Sequence, residues 1–168
     1  VYHVHVSGKF SMLYRYWGAP LTLEELNKPH IRFISVEGPI NGIGYVKDYS
    51  GFVVVYGSNI YKPFIEEKAF SNEVGYFFPE KISSGNYVIH YKYVLVPPAE
   101  YDGEYYHVNL KFADDHPLYE RVKICILVPS SLVKRVYVHT PAYDVKVRDD
   151  MIVVKGTSMP DQLLEVEL

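Results

Sequence analysis

The segment Asn86-Tyr-Val-Ile-His-Tyr-Lys-Tyr-Val-Leu-Val96 is the longest stretch in which β-branched and aromatic residues alternate with other residues. Such side chains fit the pleated surface of a sheet, and a period of two sends successive side chains to opposite faces. Pro97 and Pro98 follow directly, and proline cannot donate a hydrogen bond to a neighbouring strand. The segment therefore predicts a long β-strand that ends at residue 96.

The same alternation continues along the rest of the chain, broken by Gly, Pro, Asn and Asp at intervals of roughly 8–12 residues. Hairpin turns are predicted at Tyr49-Ser-Gly51 and at Arg148-Asp-Asp150. Spacing of this kind predicts an all-β fold, an antiparallel β-sandwich of immunoglobulin-like or jelly-roll-like type. Strands are predicted at residues 1–6, 10–17, 30–37, 44–48, 52–56, 74–78, 86–96, 104–112, 120–128, 133–139, 144–147, 151–155 and 163–168.

Signals for helices are scarce. Thr22 and Glu25 have the spacing of a capping box, which predicts a short helix at residues 22–26. Pro63 suits the first position of a helix and predicts another at residues 63–70. We expect one sandwich domain over residues 1–168, and leave open a subdivision near residue 130, where no flexible linker marks a boundary.

The composition of the chain indicates which kinds of fold and partner are expected. Hydrophobic residues make up 48% of the chain, enough for a sizeable core, and the net charge is −3. Nucleic acid is not expected as a partner, because phosphate binding needs a basic patch and no dense run of Lys and Arg occurs. No stretch has the roughly 18 apolar residues of a membrane-spanning helix. Cys125, the one cysteine, lies in an apolar strand pattern and is predicted to be buried.

Two clusters carry residue types that bind metal ions. His3 and His5 would share one face of a strand, so two imidazoles could begin a zinc or copper site. The alternative is a surface strand that happens to carry two histidines. Asp114, Asp115 and His116 follow a strong strand pattern, and their side chains could attract a divalent cation. The alternative there is a solvated turn.

Aromatic residues form two further candidate sites. Tyr is unusually frequent, with 17 residues, and tyrosine dominates many recognition surfaces. A ring platform for a ligand is predicted at Tyr14, Tyr16, Trp17, Tyr101, Tyr105 and Tyr106. Asp102 and Glu104 add paired carboxylates of the kind found in glycosidases. No nucleophile elbow, phosphate loop or His-Glu-x-x-His motif occurs, so we expect neither an enzyme nor a cofactor.

Several segments follow one another in an order that is typical of a known family. They are Ser7-Gly-Lys-Phe10, Leu13-Tyr-Arg-Tyr16, Pro20-Leu21, Gly85-Asn-Tyr-Val-Ile-His-Tyr-Lys-Tyr93, Glu104-Tyr-Tyr-His-Val-Asn-Leu110, Pro117, Val122-Lys-Ile-Cys-Ile-Leu-Val-Pro129 and Met159-Pro-Asp-Gln-Leu-Leu-Glu-Val-Glu167. This order resembles the extracytoplasmic N-terminal domain of predicted membrane proteins of unknown function (domain-of-unknown-function family 2207). The resemblance implies a membrane-tethered domain that faces outward, and it implies no catalytic residues.

The functional expectation follows from the all-β pattern, the tyrosines and the resemblance. The chain begins at Val1 and ends within a strand pattern, so we expect a piece of a longer membrane-anchored protein. We predict a non-catalytic domain on the extracytoplasmic face of the membrane that interacts with a protein or glycan of the cell envelope. Contact with the membrane is expected only through segments absent from this chain. The alternatives are a carbohydrate-binding module, a hydrolase or metal-binding domain, and a structural subunit of a surface layer or filament.

Overall fold

The computed structural model describes residues 1–16, 30–39, 41–48, 50–97, 99–113, 116–139 and 142–168. It confirms an all-β, sandwich-like fold built from antiparallel sheets. The chain divides into two compact units; the described residues up to Val96 belong to unit 1, and those from Pro97 onward belong to unit 2. Each unit has a hydrophobic core of its own. The single domain over residues 1–168 stays a prediction.

The seven described strands of unit 1 form two antiparallel sheets. The strands are β1 (Tyr2–Val6), β2 (Phe10–Tyr16), β3 (His30–Glu37), β4 (Ile43–Lys47), β5 (Val53–Tyr56), β6 (Glu73–Ile82) and β7 (Gly85–Val96). One sheet has the order β1-β7-β3 and the other the order β2-β6-β4-β5. The long alternating segment is β7, the central strand of the three-stranded sheet, as its length and pattern predict.

The core of unit 1 lies between these two sheets. Its buried members come from both of them, for example Ile89 of β7 and Phe78 of β6. The residues of this core are Val6, Val36, Val46, Val74, Tyr76, Phe78, Ile82 and Ile89. Full burial of one such side chain stabilises a fold by roughly 1.5–3 kcal/mol. Unit 1 is therefore a sandwich.

A short helix covers the other face of the four-stranded sheet. This helix, α1 (Lys62–Lys68), follows a 3-10 turn at Asn59–Tyr61 and buries Ile65. The Nζ of Lys47 donates to the carbonyl oxygens of Glu66 and Ala69, both at 2.8 Å, which ties the end of α1 to β4. The prediction of a helix at residues 63–70 is confirmed to within two residues at its end. The helix predicted at residues 22–26 lies outside the described residues.

Strand β6 continues beyond the end that its sequence predicts. Phe78 is followed by Pro79, which favours a strand end, yet pairing resumes where Phe10 lies opposite Ile82. Met12 lies opposite Phe77, so the ladder contains a bulge, and Lys81 has a left-handed φ of 58° there. A bulge leaves a residue unpaired, which is where a strand tolerates proline. The predicted end at Phe78 was therefore wrong.

Unit 2 contains seven described strands in two further sheets. They are β8 (Ala99–Tyr101), β9 (Tyr106–Ala113), β10 (Tyr119–Leu127), β11 (Tyr137–His139), β12 (Asp144–Arg148), β13 (Met151–Ser158) and β14 (Leu164–Glu167). One sheet has the order β11-β14-β9-β8 and the other the order β10-β13-β12. A 3-10 turn at Ser130–Leu132 precedes β11, which is shorter than its sequence predicts. The sequence pattern did not predict β8.

The core of unit 2 lies between its two sheets. Its buried residues are Ala113, Ile124, Ile152, Val154, Leu164 and Val166. Every second residue of β13 and of β14 faces this core. The alternate residues of each strand point to the outer side of its sheet, which is one of the two outer faces of the sandwich.

One residue of unit 2 departs from its predicted burial. Cys125 is exposed, because it lies between the core residues Ile124 and Ile126 on β10 and its side chain is on the outer side of the sheet. The prediction of a buried cysteine was wrong: the apolar run of β10 did not reveal which of its residues face the core.

Candidate functional site

The two histidines proposed as metal ligands lie on β1, an edge strand of unit 1. Both are exposed and share one face of the strand, as period two requires. The Nδ1 of His5 lies 2.9 Å from the Oδ1 of Asn86 on the neighbouring strand. Within the described part of the chain, no group of three or more His, Cys, Asp and Glu side chains is arranged to hold a metal ion. The metal site at His3 and His5 stays a prediction.

His116 occupies a buried position in unit 2, whereas Asp114 and Asp115 lie outside the described residues. Its ring stacks on Tyr119 with centroids 4.2 Å apart, and its Nε2 lies 2.9 Å from the carbonyl oxygen of Gln162. The Oγ of Ser158 is 3.0 Å from the same Nε2. A Ser–His pair is the geometry of an activated nucleophile, but Ser158 is fully buried. These contacts hold the turn after β13 in place.

The first aromatic candidate site belongs to unit 1. Tyr14 and Tyr16 project from the same side of β2 and both pack near Phe70, with ring centroids 6.1 and 5.2 Å from it. Arg15 points to the opposite side and is buried. Trp17, the third predicted member, lies outside the described residues. The ligand-binding role predicted for Tyr14 and Tyr16 stays a prediction, and the sequence did not indicate the contribution of Phe70.

The second aromatic candidate site lies on the β8–β9 hairpin of unit 2. Tyr101 and Tyr106 face each other across the two strands, with ring centroids 4.8 Å apart and planes inclined by 34°. Tyr106 is 70% exposed and Tyr101 is 53% exposed. Asp102 builds the turn: its Oδ1 accepts the backbone N–H groups of Glu104 at 2.8 Å and Tyr105 at 2.7 Å. The hairpin thus carries three of the six residues of the predicted ring platform, and the described members of that platform divide between the two units.

Beside this hairpin, the outer side of the four-stranded sheet carries a cluster of histidines and carboxylates. The Nδ1 of His107 lies 2.9 Å from Glu167 and its Nε2 lies 3.0 Å from Asp102. The Nε2 of His139 lies 3.3 Å from Glu167 and 3.5 Å from Glu165. We call this surface the acidic face. It consists of Glu100, Asp102, His107, Asn109, Lys111, Tyr137, His139, Glu165 and Glu167, with Tyr105 at its edge.

The charges of the acidic face stabilise one another. Hydrogen bonds to Asp102 and Glu167 raise the pKa of His107, because both ring nitrogens face carboxylate oxygens. The hydrogen bond from His107 lowers the pKa of Asp102 and that of Glu167. Burial raises the pKa of Glu165, which is only 8% exposed. The arrangement is that of a hydrogen-bonded, proton-binding surface.

One comparison with known proteins identifies a family for the chain. Residues 1–168 match the family model described as "Predicted membrane protein (DUF2207) N-terminal domain". The chain belongs to this family. The resemblance expected from the sequence is thereby confirmed. No curated protein matches the chain, and no solved structure matches it. Among the residues described here, no helix is long and apolar enough to cross a membrane.

The sequence did not indicate the cluster of histidines and glutamates at the centre of the acidic face. His107, His139, Glu165 and Glu167 come from three strands that are distant along the chain and adjacent in the sheet. The pattern Leu164-Glu-Val-Glu167 does place both glutamates on one side of a strand. Nothing in the sequence indicates that β9 and β11 are the neighbours of that strand, so the cluster could not be assembled.

Proposed function

We propose that the chain is a non-catalytic, extracytoplasmic domain of a membrane protein, and that it binds another protein of the cell envelope at the β8–β9 hairpin. The observation that supports this proposal is that this hairpin exposes Tyr101 and Tyr106 on one side and the paired charges of the acidic face, with Tyr105 at its edge, on the other. Membership of a family of predicted membrane proteins agrees with it.

Tyrosine suits such a surface for a physical reason. Its ring offers a large contact area with only two rotatable side-chain bonds, so little conformational entropy is lost on binding. Its hydroxyl group can remain hydrogen-bonded when the ring is covered. The three hairpin tyrosines are already positioned by the Asp102 turn and by the Tyr101–Tyr106 contact, which lowers the cost of ordering them further.

The charge of the acidic face favours a partner with exposed Lys or Arg side chains. Four carboxylates of this face, those of Glu100, Asp102, Glu165 and Glu167, outnumber Lys111 and the adjacent Arg135, whose Nη1 donates to the Tyr137 hydroxyl. A cationic segment that approached Glu167 would compete with His107 and His139 for its oxygens. The partner that fits best is therefore a protein with a basic segment.

A glycan is a less suitable ligand, because sugar-binding platforms present flat ring faces. The planes of Tyr101 and Tyr106 are inclined to each other, and each ring covers part of the other. Catalysis is not part of the proposal, since the carboxylates of the acidic face are engaged with imidazoles and the Ser158–His116 pair is buried.

Site-specific photocrosslinking in the full-length protein, in its native membrane, tests this function. A photoreactive aromatic residue in place of Tyr106 should give one discrete adduct with a protein, and the double substitution Tyr101→Ala/Tyr105→Ala should abolish it. The matched control carries the same reactive residue in place of Phe52, an exposed aromatic residue of unit 1. Equal adducts at both positions, or binding on a glycan array, would contradict the proposal.

Two further measurements test the location and the absence of catalysis. Lys9 is exposed, so Lys9→Cys in a Cys125→Ser background should react with a membrane-impermeant thiol reagent on intact cells if the domain is extracytoplasmic. A reaction seen only after lysis would refute that location. Hydrolysis of a panel of glycosides or esters that is lost in Glu104→Gln would refute the non-catalytic assignment.

A further inference from the structure

The three-stranded sheet of unit 2 has an outer face that no sequence motif indicated. Register places its residues in three rows across β10, β13 and β12: Lys123 with Lys155 and Asp144, Cys125 with Val153 and Lys146, and Leu127 with Met151 and Arg148. We call these nine residues the basic face. The intervening residues of the same strands, such as Ile124, Ile152 and Val154, face the core.

Cations outnumber anions on the basic face. Asp144 is its one acidic residue, and its carboxylate pairs with Lys146 at 3.2 Å. Lys123 and Lys155 are directly opposite each other on neighbouring strands, where like charges destabilise a sheet. In the part of the chain that is described, Lys123, Arg148 and Lys155 form no ion pair. The turn residue Asp150 lies beyond the last row, and its carboxylate accepts the backbone N–H of Ser130.

Apolar side chains lie among these cations. Leu127 is 81% exposed, Cys125 is exposed, and Met151 and Val153 are half-buried. Burial of such a residue in an apolar environment would be favourable, and the folded chain does not bury Leu127 itself. Cations along two sides of an exposed apolar patch match a surface with anionic groups outside and hydrocarbon beneath.

We propose that the basic face binds the anionic headgroups of a phospholipid bilayer. Each Lys or Arg near an anionic membrane surface strengthens binding by about fivefold, and an inserted leucine adds to this. Headgroup phosphates would also remove the repulsion between Lys123 and Lys155. The family is one of predicted membrane proteins, so a bilayer is close to the domain in the full-length protein. The chain itself would then contact the membrane, which its sequence does not predict.

Vesicle flotation with the 168-residue chain tests the inference. At about 0.1 M salt, where the Debye length is about 10 Å, vesicles with equal parts of phosphatidylglycerol and phosphatidylcholine should bind at least about tenfold more tightly than pure phosphatidylcholine. Lys123→Glu/Lys155→Glu should lower binding to the level of phosphatidylcholine. The control Lys9→Glu/Lys92→Glu makes the same change in net charge at two exposed positions of unit 1 and should retain binding.

The sole cysteine provides an independent readout. A polarity-sensitive fluorophore on Cys125 should shift its emission to shorter wavelength on vesicles that contain phosphatidylglycerol, whereas the same label on Lys9→Cys/Cys125→Ser should not. Circular dichroism of each variant separates loss of binding from loss of fold. Equal loss of binding in both charge-reversed variants would overturn the inference. Binding of DNA or polyphosphate without binding of vesicles would do the same.

Discussion

The two outer faces of unit 2 cover one hydrophobic core but differ in how their charged side chains are paired. On the acidic face, His107 lies between two carboxylates, and Glu167 lies between two imidazoles. On the basic face, Lys123 lies opposite Lys155 with no carboxylate between them. The histidines and carboxylates of the first face therefore pair with one another, whereas the second face retains a repulsion that an external anion would relieve.

This difference indicates what each face can bind. A partner at the acidic face has to compete with contacts that already exist, so binding there depends on shape and on the tyrosines as well as on charge. An anion at the basic face displaces no ion pair of Lys123, Arg148 or Lys155 within the described chain. Selective recognition is expected at the first face and salt-sensitive adhesion at the second.

The largest expected effect comes from the core that both faces share. Ile152 is almost fully buried on the central strand β13, between the two sheets. Ile152→Ala should lower the free energy of unfolding of unit 2 by about 2–5 kcal/mol, because it removes buried methyl groups and leaves a cavity. Chemical denaturation measures this loss. Val147→Ala, at an exposed position of β12, is the control and should cost less than about 1 kcal/mol. Similar losses of free energy of unfolding in the two variants would show that the core residues of β13 do not support both outer faces.

A smaller effect is expected in the pH dependence of stability, which should differ between the two faces. The pKa of His107 is raised above its usual value of 6.5 in the folded state. Its contribution to stability is therefore fully present below about pH 6.5 and is lost as pH rises through the folded pKa. The difference in thermal midpoint between the unaltered chain and His107→Asn should shrink from about pH 5.5 to about pH 8.5.

The basic face supplies the contrast for this experiment. Its charges come from Lys and Arg rather than from histidine, so its binding to phosphatidylglycerol vesicles should stay constant. If the difference in thermal midpoint between the unaltered chain and His107→Asn grew with pH, this would contradict the assigned role of His107. Vesicle binding that fell with pH would contradict the assignment of Lys and Arg as the binding charges.

The smallest expected effect is a gain in stability. Lys123→Thr removes one member of the directly opposed lysine pair and should raise the free energy of unfolding by about 0.2–1 kcal/mol. The same substitution should weaken vesicle binding by about fivefold. Lys111→Thr is the matched control on the acidic face, where Lys111 lies opposite Glu165, and it should lower stability. A loss of stability in Lys123→Thr together with a gain in Lys111→Thr would contradict the proposed difference between the two faces.

Much of this fold could be predicted from alternation alone. The bounds of β3 agree with the predicted strand at both ends, and α1 follows the proline that predicts its start. Strand β8 was missed because three residues are too short to show a period. Neither face could be predicted, since each combines residues from three or more strands and the alternation of one strand does not reveal its neighbours. A search for dense runs of Lys and Arg overlooks cations that are dispersed in this way.

The alternation of β13 also makes its length as important as its composition. Insertion or deletion of one residue within Met151–Ser158 would move every later residue of the strand to the opposite side. Lys155 would then point into the core, and Val154 would point toward solvent. The backbone N–H of Val128 donates to the carbonyl oxygen of Asp150 at 3.0 Å, which holds the start of the strand in place. Changes in chain length are therefore better tolerated at residues 134 and 135, which are exposed and lie outside any strand or helix, than within β13.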